Sequence, residues 1–446
     1  MKKFFTTLSN IWKIEDLRVR ISNTFLFLLI YRIGSFIVLP GINPATLDSQ
    51  RGKEGLMGML NMFAGGSFSR GSIFALGVMP YISASIVVQL LGIAVPYFTK
   101  LQKEGESGRN KLNQWTRYLT IGITALQAVG YVRSQVSSAP LIPDPYFTIL
   151  SVFVLTAGTL FVMWLGEKIT DKGIGNGISL IIMVGIIAQL PTAIGQEFLT
   201  RVNGAGGLFI FVVELVALIA VVMFTILIVQ GTRKIAVQYA KRIVGNKQYG
   251  GVRQYIPLKV NAAGVMPIIF AQALMFIPAA IPSLFKSAGS NSVVIALSDV
   301  QSWPHNLLFA LLIIVFTYFY TAITVNPNQM ADDMKKNGGF IPGVKPGKAT
   351  ADFIDDIISK ITLPGSIFLA IIAIIPAIAV IFSVSSQFAR FFGGTSLIIL
   401  VGVVLDTLQQ IESHLLMRHY DGLMKTGRIK GRTAIPSAAG TTPSAI

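Results

Sequence analysis

The chain contains no cysteine and little charge. The lack of cysteine excludes disulfides and cysteine-ligated metal sites. Only 13% of the 446 residues are charged and 52% are hydrophobic, which excludes an ordinary soluble domain and is typical of a polytopic membrane protein. The few histidines, His305, His414 and His419, lack the spacing of a metal site, so neither a metal nor another cofactor is expected.

Long apolar runs take up most of the chain. Ten runs of about 18–22 residues are each long enough to cross a bilayer. The stretches between them are at most about 30–36 residues long, too short for an ATPase domain. We therefore predict an all-α polytopic membrane protein with ten transmembrane helices. The predicted spans are 21–40, 73–95, 118–136, 147–166, 174–193, 208–230, 262–284, 306–325, 361–384 and 395–412.

Basic residues are distributed unevenly between the two sides of these spans. With the N-terminus inside, the inner segments hold 29 of the 37 Lys and Arg, and the outer segments hold 7. This positive-inside bias predicts that both termini are cytoplasmic. Residues 1–20 combine apolar positions at helical spacing with lysines, which predicts an amphipathic helix on the cytoplasmic membrane surface. Residues 413–446 are predicted to form a cytoplasmic tail.

The spans divide evenly at the outer loop Pro191 to Gly207. This division gives a first five-helix half, 21–193, and a second, 208–412, and makes an inverted structural duplication possible. The large inner loops 231–260 and 326–361 belong to the second half.

A Gly- and Ser-rich segment precedes the second span. Six of the nine residues in 64–72 are Gly or Ser, which disfavours a regular helix. We predict a half-helix that enters the protein from outside and buries little apolar area, followed by a spanning helix kinked at Pro80. Irregular backbone at membrane depth must be buried in protein or line a cavity, so a cavity is expected beside it. An external loop that leads into a kinked helix is the alternative.

Two Gly-rich strings resemble nucleotide-binding loops only superficially. Residues 173–177 follow no predicted strand, and 343–350 has Ala349 where a P-loop requires Ser or Thr. Nucleotide binding is not expected, and the first string is predicted to form a tight turn into the fifth helix. The intramembrane residues Arg32, Glu214 and Asp406 are too isolated for an ion relay and are expected to pair or to reach the interface.

The loop 231–260 carries seven basic residues, three tyrosines and no acid. Positive charge interleaved with aromatic rings on a short exposed hairpin suits a phosphate backbone such as ribosomal RNA, or an acidic protein surface. The alternative is that this charge only determines membrane topology.

Several strings, in order along the chain, resemble the bacterial SecY family, whose members form a protein-conducting channel. They are YRIGSFI (31–37), MFAGGSFSRGSIFALGVMPYISASI (62–86), KEGESGR (103–109), FVMWLGEKITDKGIGNGIS (161–179), YAKRIVG (239–245), PLKVNAAGVMPIIFA (257–271), NPNQMADDMKKNGGFIPGVKPGKAT (326–350) and FGGTSLII (392–399). The chain departs from the family at Lys345, where Arg is typical, and Lys cannot make the bidentate contacts of Arg.

The resemblance implies two five-helix halves around an hourglass pore that opens sideways between the second, third, seventh and eighth helices. It implies a pore ring of Ile82, Ile86, Ile182, Ile186, Ile269 and Ile399. It also implies a plug formed by Phe63, Ala64, Gly65, Gly66, Ser67, Phe68, Ser69, Arg70, Gly71 and Ser72. A ring of branched apolar side chains is narrow, excludes water when empty and offers a passing chain no specific hydrogen bonds.

The resemblance further implies that partners drive a passive channel in the bacterial plasma membrane. They are the SecA ATPase and the ribosome, with its RNA and proteins, beside the subunits SecE and SecG, signal peptides, nascent preproteins and membrane lipids. The implied docking residues are Arg233, Lys234, Lys241, Arg242, Lys247, Arg253 and Lys345. A secondary transporter of a small solute and an assembly scaffold are the alternative functions, although clustered midplane charges that would favour a transporter are absent from the sequence.

The charge distribution predicts which sites face outward. Because the chain has no cysteine, single cysteines can replace Ser49, Ser138, Asn246 and Ser437. A membrane-impermeant thiol reagent outside intact cells should label only the first two. Labelling at position 246 from outside would reverse the predicted orientation.

Overall fold

The computed structural model of the chain is mostly helical. It describes residues 12, 14–42, 58, 61–133, 143, 146–204, 207–239, 242–244, 247–249, 253–284, 296, 297, 299 and 301–426. Most of the predicted N-terminal amphipathic helix, and the tail beyond residue 426, lie outside the described residues.

Long helices account for all ten predicted spans. In chain order the helices are α1 Glu15–Gly34, α2 Met79–Ala94, α3 Pro96–Lys103, α4 Glu106–Tyr131, α5 Tyr146–Lys172, α6 Gly177–Asn203, α7 Gly207–Gln230, α8 Met266–Leu284, α9 Trp303–Thr324, α10 Pro327–Lys336, α11 Lys348–Ile381, α12 Ser386–Ala389 and α13 Gly394–Thr426. The predicted spans overlap α1, α2, α4, α5, α6, α7, α8, α9, α11 and α13, one helix each.

Not all of these helices are apolar along their whole length. Within the described residues, six are long and apolar enough to cross a bilayer by length and composition, and a seventh span results if α2 and α3 are taken together. The α2–α3 pair is bent by 103°, so α3 turns sharply away from the direction of α2. The α1 helix carries Arg18, Arg20 and Arg32, and these charges lower its hydropathy.

Several helices extend beyond the predicted spans, and three of these extensions replace parts of expected loops or of the expected tail. The α6 helix continues to Asn203 with Pro191 inside it, so most of the expected outer loop at 191–207 is helical. The α11 helix begins at Lys348, within the expected inner loop 326–361, and α13 continues through residues 413–426. These extensions carry too much charge to register as apolar runs.

Five short strands lie at one end of the helix bundle. They are β1 Thr232–Tyr239, β2 Arg242–Val244, β3 Lys247–Tyr249, β4 Arg253–Lys259 and β5 Gly339–Phe340. The β1 and β4 strands form an antiparallel hairpin in register from Thr232↔Lys259 to Gln238↔Arg253, and β5 pairs with the other edge of β1. The base of the hairpin is closed where the Val260 amide donates to the Gly231 carbonyl at 2.8 Å. We call this end of the bundle the basic face.

Alternation along β1 explains how the hairpin packs. Ile235 and Val237 point inward and are buried, whereas Arg233 and Lys234 are exposed. The inward residues pack with Leu258 and with residues of α10 and α11. The strands therefore form a small folded unit that rests on the second half of the helix bundle.

Helices adjacent in the chain pack against each other within each half. In the first half α2, α4, α5 and α6 contact their neighbours, and in the second half α8, α9 and α11 do so. The halves meet where α6 contacts α7 and α13. At the basic face this junction includes a hydrogen bond of 2.8 Å from the Gly175 amide to the Gln410 side chain.

A buried charge cluster joins the halves at the opposite face. Arg201 at the end of α6 contacts Glu197 at 3.0 Å and Glu214 of α7 at 2.5 Å. Arg201 also donates to the Ser383 carbonyl at 2.8 Å, and the Ser385 amide donates to Glu197 at 3.1 Å. Ser383 has a φ of 63°, a strained value for a residue other than Gly. The cluster thus ties α6, α7 and the turn after α11 together.

Replacing Arg201 by Met should destabilise the protein strongly. The change leaves the carboxylates of Glu197 and Glu214, 0% and 7% exposed, side by side without their cation. Breaking a buried ion pair in this way costs about 3–5 kcal/mol. The free energy of unfolding can be measured by SDS titration in mixed micelles.

The matched control is Arg117→Met. Arg117 pairs with Glu167 at 2.7 Å, but their side chains are 48% and 28% exposed. Removing such a solvated pair should cost about 1 kcal/mol or less. Equal losses in the two variants would show that the buried cluster does not stabilise the junction.

Candidate channel constriction, plug and docking surface

Isoleucines from four helices meet near the centre of the molecule. Ile182 and Ile186 of α6 and Ile399 of α13 belong to one buried cluster, and Ile82 of α2 and Ile269 of α8 pack against it. These helices come from both halves, so only the folded chain makes the side chains neighbours. The cluster they form is branched and apolar, and a channel constriction lined in this way would exclude water.

The sixth predicted ring residue lies slightly apart. Ile86 is one helical turn from Ile82 and packs with Phe270 of α8 and Tyr320 of α9. Ile82 contacts this second cluster as well. Ile86 therefore belongs to the place where α2 meets α8 and α9, which we call the seam.

The predicted plug lies directly against the isoleucines. Phe63 and Met62 are buried in the same cluster as Ile182 and Ile399. Residues 61–63 are helical, but 64–71 form a compact run of turns in place of most of the expected half-helix. The spanning helix α2 begins only at Met79, so Pro80 occupies its first turn and produces no kink.

The plug is more deeply buried than its composition predicts. Phe63 is 9% exposed and Phe68 is 5% exposed. Phe68 packs edge-on against Tyr131 of α4, with ring centroids 4.8 Å apart. The expectation that this segment buries little apolar area is wrong, because its two aromatic side chains join the cores on either side.

The first half supplies most of the described partners of the plug backbone. Tyr131 donates to the Phe68 carbonyl at 2.6 Å, and just before the plug Gln189 of α6 donates to the Asn61 carbonyl at 2.6 Å. Residues 37–39 and 71–73 exchange backbone hydrogen bonds of 2.8 and 2.9 Å around an isolated bridge. The irregular backbone is thereby satisfied at membrane depth.

Close approach of the plug to α6 depends on a glycine. A Cβ atom on Gly185 would lie 2.7 Å from the Phe63 carbonyl oxygen and 3.1 Å from the Gly65 amide nitrogen. Any larger residue at position 185 would push the plug away from α6.

A side-chain hydrogen bond crosses the seam. The Tyr320 hydroxyl of α9 donates to the Gln89 amide oxygen of α2, and Gln89 in turn donates to Ser85 at 3.1 Å. We did not predict this pair from the sequence. An amide and a phenol on otherwise apolar helices could have indicated it, because polar side chains of spanning helices form hydrogen bonds between helices. Because α2 and α9 belong to different halves, this bond closes the side of the bundle at the seam.

Four of the predicted docking residues have described side chains. Arg233, Lys234 and Arg253 are exposed on the β1–β4 hairpin, and Lys345 is exposed in the turn before α11. Arg242 lies on β2 and Lys247 on β3, where only the backbone is described, and Lys241 lies outside the described residues.

The two large inner loops form one folded unit. Strand β5 of the second loop pairs with β1 of the first, and Ile341 and Val344 pack with Ile235 and Val237. The Thr350 hydroxyl donates to the Lys345 carbonyl at 2.9 Å and so holds the turn. The four predicted docking residues with described side chains therefore belong to one folded unit at the basic face, although they come from two separate loops of the sequence.

The Gly-rich string at 173–177 and the intramembrane charges Glu214 and Asp406 have the structural roles expected from the sequence. Residues 173–175 form a turn into α6, where the Asn176 side chain caps the helix by accepting from the Ser179 amide at 3.3 Å. Glu214 pairs with Arg201 as described, and Asp406 is exposed.

The sequence matches one family along most of its length. A family model described as SecY matches residues 72–408. Protein translocase subunit SecY of Halalkalibacterium halodurans is 47% identical over 433 residues, covering 94% of this chain and 100% of that protein. The subunit of the same name from Bacillus subtilis is 45% identical over 441 residues with the same coverage.

Solved structures share the fold. A structure described as a protein-conducting channel has a TM-score of 0.61 at 18% identity and covers 92% of this chain and 95% of its own. A structure concerned with the plug domain of the SecY protein, said to stabilise the closed state and maintain a membrane seal, has a TM-score of 0.60 with the same identity and coverage. Sec61 in a canine ribosome–channel complex of the endoplasmic reticulum gives 0.59, again with the same identity and coverage.

The isoleucine cluster predicts that Ile399→Asn opens the constriction. Ile399 is 2% exposed, and a polar amide in its place holds water and loses apolar contacts of about 1–3 kcal/mol. Since 1.4 kcal/mol is a factor of ten, ion conductance through reconstituted bilayers should rise about tenfold. Ile219→Asn on α7, where Ile219 is 55% exposed, should leave conductance unchanged. Equal conductance in both variants would make Ile399 an ordinary packing residue.

Proposed function

The chain belongs to the SecY family, and on that premise we propose that it forms the passive channel subunit of a protein translocase. It moves unfolded preproteins across the membrane and releases transmembrane segments sideways into the lipid. It is a multi-pass membrane protein, and it catalyses no chemical reaction.

The observation that best supports this proposal is the apolar isoleucine cluster, which is built from both halves and packs against the buried Phe63. The ring Ile82, Ile86, Ile182, Ile186, Ile269 and Ile399 and the plug 63–72 act as two seals in series. Branched apolar side chains can close around any passing chain, because they offer no hydrogen bonds that select one sequence over another. A solute transporter would instead place specific polar groups at this depth.

The seam gives the sideways exit. An apolar signal peptide that inserts between α2 and α9 replaces the aromatic contacts of Phe270 and Tyr320 with contacts of its own. Its insertion separates Gln89 from Tyr320, so the halves open at the seam while α6 and α13 stay together. The signal peptide drives this opening because it binds the open state more tightly than the closed state.

The halves move as units in this proposal. The first unit comprises residues 21–193 with the plug, and the second comprises 208–412 with the loops 231–260 and 326–361. Residues 1–20 and 413–446 lie on the cytoplasmic side. The Arg201 cluster and the Gly175–Gln410 hydrogen bond lie at the junction about which the units rotate.

Cytoplasmic partners dock on the basic face and supply the work. Its exposed Arg233, Lys234 and Arg253 suit the phosphates of ribosomal RNA and any acidic surface that the SecA motor presents to them. Lys345 gives a point charge where the family typically has Arg. SecE and SecG complete the complex in the bacterial plasma membrane.

Reconstitution tests this function directly. The chain, copurified with SecE and SecG, is placed in liposomes with SecA, ATP and a preprotein. Preprotein should become resistant to external protease in an ATP-dependent manner, because it has entered the vesicle. Vesicles without the chain are the control. Preprotein that stays accessible in vesicles that accumulate a small solute would identify a transporter instead.

A further inference from the structure

Two arginines donate hydrogen bonds to the same backbone oxygen of the plug. The Arg32 guanidinium, in the last turn of α1, donates to the Gly65 carbonyl at 2.9 Å. The Arg70 guanidinium, within the plug itself, donates to the same oxygen at 2.9 Å. Arg32 therefore joins the plug to the helical frame, whereas Arg70 closes a loop inside the plug.

The two guanidiniums also share an aromatic face. The Cζ atom of Arg32 lies 4.8 Å from the Phe36 ring centroid, and that of Arg70 lies 4.3 Å from it. Among the ion pairs of the described residues, none includes Arg32 or Arg70. Within the part of the chain that the structure describes, two like charges are thus held together by one carbonyl and one ring, and neither forms an ion pair with a carboxylate.

The shape of the plug at Gly65 suits this contact. Gly65 has a φ of 64°, which L side chains rarely adopt. A Cβ atom there would lie 3.0 Å from the Gly185 backbone and 3.1 Å from the Arg32 guanidinium. The carbonyl is therefore presented to Arg32 only because position 65 has no side chain.

We propose that Arg32 is the latch that holds the plug closed, and that Arg70 positions the carbonyl that Arg32 grips. The proposal rests on the proposed function, in which residues 63–72 seal the resting channel. It assigns the holding contact to one side chain of the frame, separate from the apolar packing of Phe63 and Phe68.

The chemistry of the contact makes the latch both firm and releasable. A hydrogen bond from a charged donor is stronger than a neutral one, and Phe36 adds a cation–π attraction to the guanidinium. A carbonyl carries no net charge, so the bond is weaker than an ion pair with a carboxylate. When the plug leaves, Arg70 moves with it and Arg32 stays on α1, so the repulsion between them falls. That relief favours release once the hydrogen bond is broken.

Replacing Arg32 by Met should loosen the plug. The Met side chain retains most of the length and apolar character of Arg but has no donor for the Gly65 carbonyl. Ion conductance of the empty SecE- and SecG-containing channel in planar bilayers should rise roughly three- to tenfold, the effect of losing one intramembrane hydrogen bond. Arg32→Lys retains charge and a donor and should recover part of the seal. Arg18→Met, an exposed arginine of the same helix, is the matched control and should change nothing.

The plug-deleted channel separates a latch from a general structural role. Deleting residues 63–72 should raise conductance by itself, and adding Arg32→Met should then raise it no further, because the carbonyl is gone. An additional rise would mean that Arg32 supports the frame and would overturn the proposal. So would a plug deletion that leaks while Arg32→Met alone does not. If the deletion itself fails to leak, the sealing function fails, and the latch fails with it.

Discussion

Backbone polar groups at membrane depth must find partners within the protein, and this requirement organises the structure around residues 64–78. These residues form turns, so their amides and carbonyls cannot all bond within a helix. Arg32, Tyr131 and the segment 37–39 supply partners for several of them. All of them belong to the first half, so the halves are unequal: one half holds this segment, and both contribute to the isoleucine cluster.

Long apolar runs made the ten spanning helices predictable, but their ends were not. Residues 348–361 of α11 are charged enough to resemble a loop, yet they are helical and bury Ala351 and Ile354, which lie one turn apart on the same face. Pro191 suggested a helix end, yet α6 continues through it. Hydropathy reports where lipid can surround a segment, whereas helix ends depend on capping and on contacts with other parts of the chain.

The candidate site was predictable only in part, for a similar reason. The i, i+4 pairs Ile82/Ile86 and Ile182/Ile186 predict shared helix faces, but the convergence of four helices came from the family resemblance. Composition indicated that 64–72 is not an ordinary helix, yet it could not show that Phe68 meets Tyr131. Likewise, the sequence shows Arg32 as an intramembrane charge but does not identify its partner. That partner is a backbone oxygen, and every residue has one.

The β1–β4 hairpin has a mechanical consequence. It continues directly from α7, its seven register pairs join its strands, and the Val260–Gly231 bond closes its base just before α8. Such a ribbon behaves as a short, stiff lever, because tilting its tip without moving its base would require bending a paired sheet whose inner face is packed against α10 and α11. A force applied to the tip therefore reaches α7 and α8 as a torque. Because α8 carries Phe270 at the seam, a partner that never enters the lipid can change how tightly the two halves are closed there.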